Sequence, residues 1–199
     1  QWQTEVINMK TIGVLALQGA FIEHVNHIEK LGHKAVEIRR KEQLEGIDGI
    51  ILPGGESTAI GKLLVDFDIK QALKEKIESG FPVWGTCAGM ILLAKKLVDD
   101  PTVHLGCMDI TVKRNAYGSQ LDSFITVDNI KALDDKPSKL VFIRAPYIEA
   151  IGNTAKVLHT VDENIVAARQ ENMMVTSFHP ELTDETLWLE YFIDNLVIN

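Results

Sequence analysis

Only two cysteines, Cys87 and Cys107, occur in 199 residues. That is too few for a disulfide framework, so a reducing compartment, the cytoplasm, is expected. Neither C-x-x-C nor H-x-x-x-H spacing occurs, and no metal site is expected. Basic runs are absent and the net charge is −8, which argues against a nucleic-acid partner. No apolar segment reaches the length that spans a bilayer, and no basic-then-apolar leader is evident, so neither a membrane nor an export signal is expected. What remains is 46% hydrophobic and 24% charged, the balance of a soluble chain able to bury a core. Its length fits one domain. Met9 reads as the natural start, with residues 1–8 an upstream extension or cloning remnant and 9–199 a single domain.

The chain is organised around Gly85-Thr86-Cys87-Ala88-Gly89. An apolar run at 81–84 precedes it and reads as a buried strand; the apolar-rich run 90–97 follows and reads as a helix. G-x-C-x-G between strand and helix is the cysteine form of a nucleophile elbow. A sharp turn lifts the side chain clear of the sheet, and small neighbours let the two arms approach. The helix's first N–H groups would favour thiolate and could bind an oxyanion. Taken alone, Cys87 is equally readable as a small buried hydrophobe.

Strands are expected at 11–17, 34–38 and 47–52, and helices at 20–31, 58–65 and 69–79, the last two capped by Ser57 and Asp68. Strands alternating with helices predict a parallel sheet covered on both faces. Beyond residue 101 the segments 110–114, 123–127, 140–143, 155–160, 164–169 and 173–178 are short and strand-like, predicting an antiparallel or mixed extension. A last helix is expected over 184–197 with Thr183 as its cap. Ligands of such sheets sit beyond the carboxyl ends of the strands. Four stretches fall there: Gln18-Gly19, Gly54 to Ser57, the elbow, and His179-Pro180-Glu181.

If His179-Pro180-Glu181 is extended, its first and third side chains share a face. A carboxylate beside an imidazole fixes its tautomer, and such a histidine can deprotonate a thiol. The same residues also read as a turn before the last helix. Gly54-Gly55-Glu56-Ser57 could present a backbone donor to a carboxamide oxygen gaining charge, or could simply be a capped strand-to-helix turn. No lysine follows, so it is not a phosphate-binding loop. Cys107 reads as buried; His24 and His27, at i, i+3, read as solvated or partner-facing; His33, His104 and His159 read as isolated.

These stretches, together with Leu17-Gln18-Gly19, Arg114-Asn115-Ala116-Tyr117-Gly118 and Phe142-Ile143-Arg144-Ala145-Pro146, resemble the glutaminase subunits of pyridoxal phosphate synthases. Those belong to the class I (triad) glutamine amidotransferases. The match runs in order from about Met9 to the end; Tyr117 stands where Phe is the more usual residue. The resemblance implies a flavodoxin-like α/β fold of three layers, with a mostly parallel central sheet and a small antiparallel or mixed extension. It implies Cys87 as nucleophile, His179 as base and acid, and Glu181 as orienter. It also implies an oxyanion hole at Gly55 and Ala88, and glutamine held by Gly55, Glu56, Ser57, Arg114, Ile143 and Arg144. The two arginines suit a carboxylate, although an arbitrary arginine more often makes a surface ion pair. Gln18 corresponds to a residue that rearranges on meeting the synthase subunit, the implied partner and ammonia acceptor; no cofactor is implied. Competing readings are a glutaminase serving another synthase, such as imidazole glycerol phosphate synthase, a cysteine hydrolase of peptides or esters, and an inactive regulatory module.

Overall fold

A computed structural model describes residues 8–114 and 123–198. Strands β1 (Thr11–Leu15), β2 (Lys34–Ile38), β3 (Gly49–Leu52), β4 (Val83–Thr86) and β12 (Met173–Thr176) form a parallel block in the order β2-β1-β3-β4-β12. Every residue of β3, β4 and β12 is buried, as expected of strands covered on both faces. Successive side chains feed two cores. Ile50, Leu52, Val83 and Val175 pack with helices α2 (Ser57–Asp66), α3 (Lys70–Glu78) and α4 (Ala88–Leu93). Ile51, Trp84 and Met174 pack with α1 (Phe21–Lys30) and α5 (Leu187–Asn195). The result is the expected three-layer arrangement.

Beyond β12 the sheet continues through β11 (Asn164–Gln170), β9 (Tyr147–Ile151) and β6 (Met108–Lys113) to β5 (Ala94–Leu97), with β10 (Lys156–Val161) also on β11. The β12–β11, β11–β9 and β9–β6 pairings are antiparallel, and β5 returns parallel to β6. A separate hairpin, β7 (Phe124–Ile130) with β8 (Lys136–Phe142), packs into the α1/α5 core through Phe124, Leu140 and Phe142.

Local boundaries depart from expectation where side-chain patterns are ambiguous. The run 90–97 is not one helix: α4 stops at Leu93, and residues 94–97 pair with β6 while Lys95 and Lys96 face solvent. Strand β9 falls where the sequence pattern predicts none, since of its five residues only Ile148 is buried. Glu56, not Ser57, caps α2, its carboxylate accepting from Thr58 and Ala59 N–H. Asp68 occupies a left-handed turn (φ 57°) and Ile69 is the N-cap of α3. Thr183 does not cap α5, which starts only at Leu187. Its hydroxyl instead closes the turn before it, donating to the Pro180 carbonyl.

Candidate active site

The carboxyl ends of β1, β3, β4 and β12 converge on one cavity of about 640 Å³. Cys87 sits at its floor, on the step from β4 to α4, with φ 49° and ψ −102°. L-residues rarely hold such a conformation, and here two anchors impose it. The Cys87 N–H donates to the Thr176 carbonyl of β12 (2.8 Å), and its own carbonyl accepts from Met90 N–H (3.0 Å). A Cβ on Gly89 would stand 2.1 Å from the Leu52 carbonyl oxygen, so only glycine lets α4 close down on β3.

His179 follows β12. Its N–H donates to the Val141 carbonyl of β8 (2.8 Å), and neighbouring Phe178 is locked against the Phe142 and Trp188 rings. The imidazole and the Cys87 side chain line the same cavity, and the ring's Nδ1 is 2.6 Å from Glu181 Oε1. Residues Pro180–Leu182 form a 3-10 turn, which corrects the extended reading of His179-Pro180-Glu181. The carboxylate meets the ring by curling back beneath it.

Burial lowers the basicity of His179, but hydrogen bonds to Cys87 and Glu181 and the Glu181 charge outweigh it, and its pKa is pushed up to about 10. Burial likewise disfavours the Glu181 anion, yet the charge that nearby His24 carries once protonated in acid and the bond to His179 keep its carboxyl below the ordinary range. The pair is therefore imidazolium and carboxylate at neutral pH. Cys107 differs: burial pushes its thiol up to about 11, the state of an inert buried hydrophobe.

Gly55, Glu56, Ser57, Ala88, Arg114, Ile143 and Arg144 line the same cavity as Cys87. Arg114 donates to Ser57 Oγ (2.8 Å) and lies 3.5 Å from Asp100 Oδ2 and 3.6 Å from Glu56 Oε1. Arg144 takes a left-handed backbone, φ 46°. Residues 115–118 of the Arg114 motif lie outside the described residues. Gln18 is not in the cavity wall; its Oε1 accepts the Glu56 N–H (2.8 Å), bracing the loop after β3 from the loop after β1. The Gly54 carbonyl is held by Ala20 N–H, 2.9 Å away.

The structure adds two neighbours. Asp100 flanks the Arg114 guanidinium. His24, expected to be solvated or partner-facing, is 2% exposed and stands behind Glu181. Its position carried a signal: it falls with Phe21, Val25, Ile28 and Leu31 on the apolar face of α1. His27 also turns inward, its Nε2 lying 2.8 Å from the Thr183 carbonyl oxygen. Nor are two other histidines isolated, since His159 meets Asp128 (2.7 Å) and the His33 ring accepts Lys10 N–H.

Comparison with known proteins gives the same direction. A pyridoxal 5'-phosphate synthase subunit PdxT from Clostridium botulinum is 54% identical over 192 residues, covering 96% of this chain and 100% of the relative. One of the same name from Clostridium acetobutylicum is 55% identical, covering 92% and 98%. A crystal structure described as a glutamine amidotransferase superposes with a TM-score of 0.88 at 41% identity, over 94% of this chain and 98% of that one. PurLQS from Thermotoga maritima, 16% identical with a TM-score of 0.67 over 94% and 100% of the two chains, shares the fold alone. The profile of the SNO glutamine amidotransferase family matches residues 14–198, nearly the whole described fold, and to that family the chain belongs.

Proposed function

We propose that the chain is the glutaminase subunit of a cytoplasmic pyridoxal 5'-phosphate synthase, splitting L-glutamine and passing the ammonia to a synthase subunit. The observation that carries this reading is the meeting of Cys87 and His179 on one open cavity, with Glu181 held 2.6 Å from the imidazole. The Cys87 thiolate attacks the side-chain carboxamide carbon. Negative charge moves to the carboxamide oxygen, which the Gly55 and Ala88 N–H groups receive. His179, charged in the resting state, gives its proton to the nitrogen; the C–N bond breaks and ammonia departs, leaving a γ-glutamyl thioester. Neutral His179 then takes a proton from water, whose oxygen attacks the thioester, and glutamate leaves as the thiolate reforms. Glu56, Ser57, Arg114, Ile143 and Arg144 hold the amino acid, with the arginines suited to its carboxylate.

Ammonia in bulk water at neutral pH becomes ammonium, which is no nucleophile, so direct transfer to a synthase has a chemical purpose. Gln18, which braces the Gly54–Ser57 loop from behind the cavity wall by accepting the Glu56 N–H, is the residue through which docking would reach the oxyanion donors. The test is ammonia release from glutamine with and without a pyridoxal 5'-phosphate synthase subunit. Addition should stimulate turnover by about tenfold or more, the scale of coupling between linked sites. Full activity of the chain by itself overturns the partner dependence.

Gly54 gives a separate check. A Cβ there would lie 2.5 Å from His179 Cε1 and 3.1 Å from Nδ1, and the ring, tied to Glu181, has little room to retreat. Gly54→Ala should lower kcat in the complex by about 10²-fold, the cost of a roughly 1 Å misplacement, with the circular dichroism spectrum unchanged. A kcat within twofold of wild type would show that the ring position is not critical.

A further inference from the structure

We infer that His24 is a positioning residue for the glutaminase reaction, gripping the far oxygen of Glu181 so that the near oxygen stays aimed at His179. The inference rests on the Cys87–His179–Glu181 reading given above. Its starting point is an imbalance in how Glu181 is held. The carboxylate side chain is wholly buried. Oε1 is bonded to His179, while Oε2 is buried with no hydrogen-bond partner among the described residues. A bare carboxylate oxygen in the interior is costly, and it leaves the group free to rotate away from the imidazole.

The donor placed to correct this is His24, whose Nε2 is 3.6 Å from Oε2. That is longer than a made hydrogen bond, and catalytic contacts of this kind commonly tighten only once substrate is bound. The His24 ring is fixed from several sides. It packs edge-on against Trp84, with centroids 5.7 Å apart, and Nε2 lies 3.4 Å from Thr86 Oγ1. Both partners belong to β4, the strand that delivers Cys87. One turn further along α1, His27 meets the Thr183 carbonyl; one turn beyond that, Lys30 Nζ donates to the Asp184 carbonyl (2.8 Å). A single face of α1, at i, i+3 and i+6, thus clasps the segment that carries Glu181.

The chemistry of the side chain suits the role. The charged and titratable groups facing His24 are Glu181 and His179 from the turn after β12, and Glu23 and His27 from its own helix. Burial dominates and lowers its basicity, so the ring is neutral at neutral pH. A neutral Nε2–H can steady the carboxylate without cancelling the charge that His179 needs. Lysine or arginine in its place would compete with the imidazolium for that charge.

The test uses His24→Leu and His24→Gln in the complex with the synthase subunit. The Leu variant should lose about 10- to 100-fold in kcat, as removal of an orienting neighbour commonly does, with KM for glutamine within about twofold. Gln, whose amide can donate, should recover most of the loss. A readout independent of turnover is the titration of the His179 ring by NMR. Its midpoint of about 10 should fall in the Leu variant and return in the Gln variant. If Leu does not fold, as judged by circular dichroism, His24→Asn replaces it, its shorter amide being unable to span the gap. A Leu or Asn variant with wild-type kcat and His179 titration overturns the inference, as does a Gln variant no better than they are. Cys87→Ala is measured alongside: if it keeps its activity the triad reading fails, whereas a dead Cys87→Ala with a normal Leu variant removes His24 alone.

Discussion

Cys87→Ala should abolish ammonia release from glutamine, lowering kcat by about 10⁴- to 10⁶-fold, the range seen when a nucleophile is removed from a catalytic unit. The size of the effect follows from the mechanism. Without sulfur there is no thioester, and His179 faces a methyl group across a gap that water would have to fill in an unprepared geometry. The fold should survive. Alanine loses a side chain that is 8% exposed, and the backbone bonds from Cys87 N–H to Thr176 and from Met90 N–H to the Cys87 carbonyl do not involve it. The strained conformation at this position remains available to alanine at a cost on the order of 1–3 kcal/mol, which cysteine already bears. Two measurements separate loss of chemistry from loss of structure. Binding of glutamine by calorimetry should persist, and ammonium salt should restore product formation by the synthase complex. Residual glutaminase activity above about one-hundredth of wild type would take Cys87 out of the mechanism, since non-nucleophilic routes are far weaker.

The parts of this site that are legible in sequence are the parts set by neighbouring residues. Gly85, Cys87 and Gly89 announce the elbow because close packing of α4 on β3 forbids a Cβ at Gly89. The parallel strands read as apolar runs because both their faces are covered, as in Gly49–Leu52 and Met173–Thr176. Where tertiary pairing decides, the pattern is silent. Ala94-Lys95-Lys96-Leu97 continues a helix-like run, and only its pairing with β6 makes it a strand. Ser57 has the better capping chemistry, but the Glu56 side chain reaches the free N–H groups of α2 first, while Arg114 takes the Ser57 hydroxyl. His24 lies 157 positions before Glu181, and no local rule could show that the apolar face of α1 would cover that carboxylate. His179-Pro180-Glu181 yields the right pair of groups through the wrong conformation, since a 3-10 turn and not an extended segment joins them.

The carboxylate itself carries the second large effect. Glu181→Gln preserves shape and volume and removes the charge, and it should lower kcat by about 10³- to 10⁴-fold, the scale found when the anionic member of a nucleophile–histidine–acid triad becomes an amide. Either orientation of the amide is wrong for the reaction. With its oxygen toward His179 Nδ1, the hydrogen bond persists but the buried imidazolium loses its counter-ion. With its NH₂ toward Nδ1, the imidazole must accept there and carry its proton on Nε2, facing Cys87, where it can no longer act as a base. The His179 titration should therefore fall from about 10, because the Glu181 bond and charge are both among the influences that raise it. Stability should follow with a definite sign. The raised His179 value stabilises the fold fully below its ordinary 6.5, and that contribution is lost as pH rises through about 10. The lowered Glu181 value stabilises the fold above its ordinary 4.5, and that contribution is lost as pH falls through the folded value. Both contributions are present between those ordinary values, so the Tm deficit of Glu181→Gln relative to wild type should be greatest there and shrink towards pH 10. A variant with kcat within tenfold of wild type, or a Tm deficit that does not change with pH, would mean that Glu181 neither orients His179 nor shares its charge.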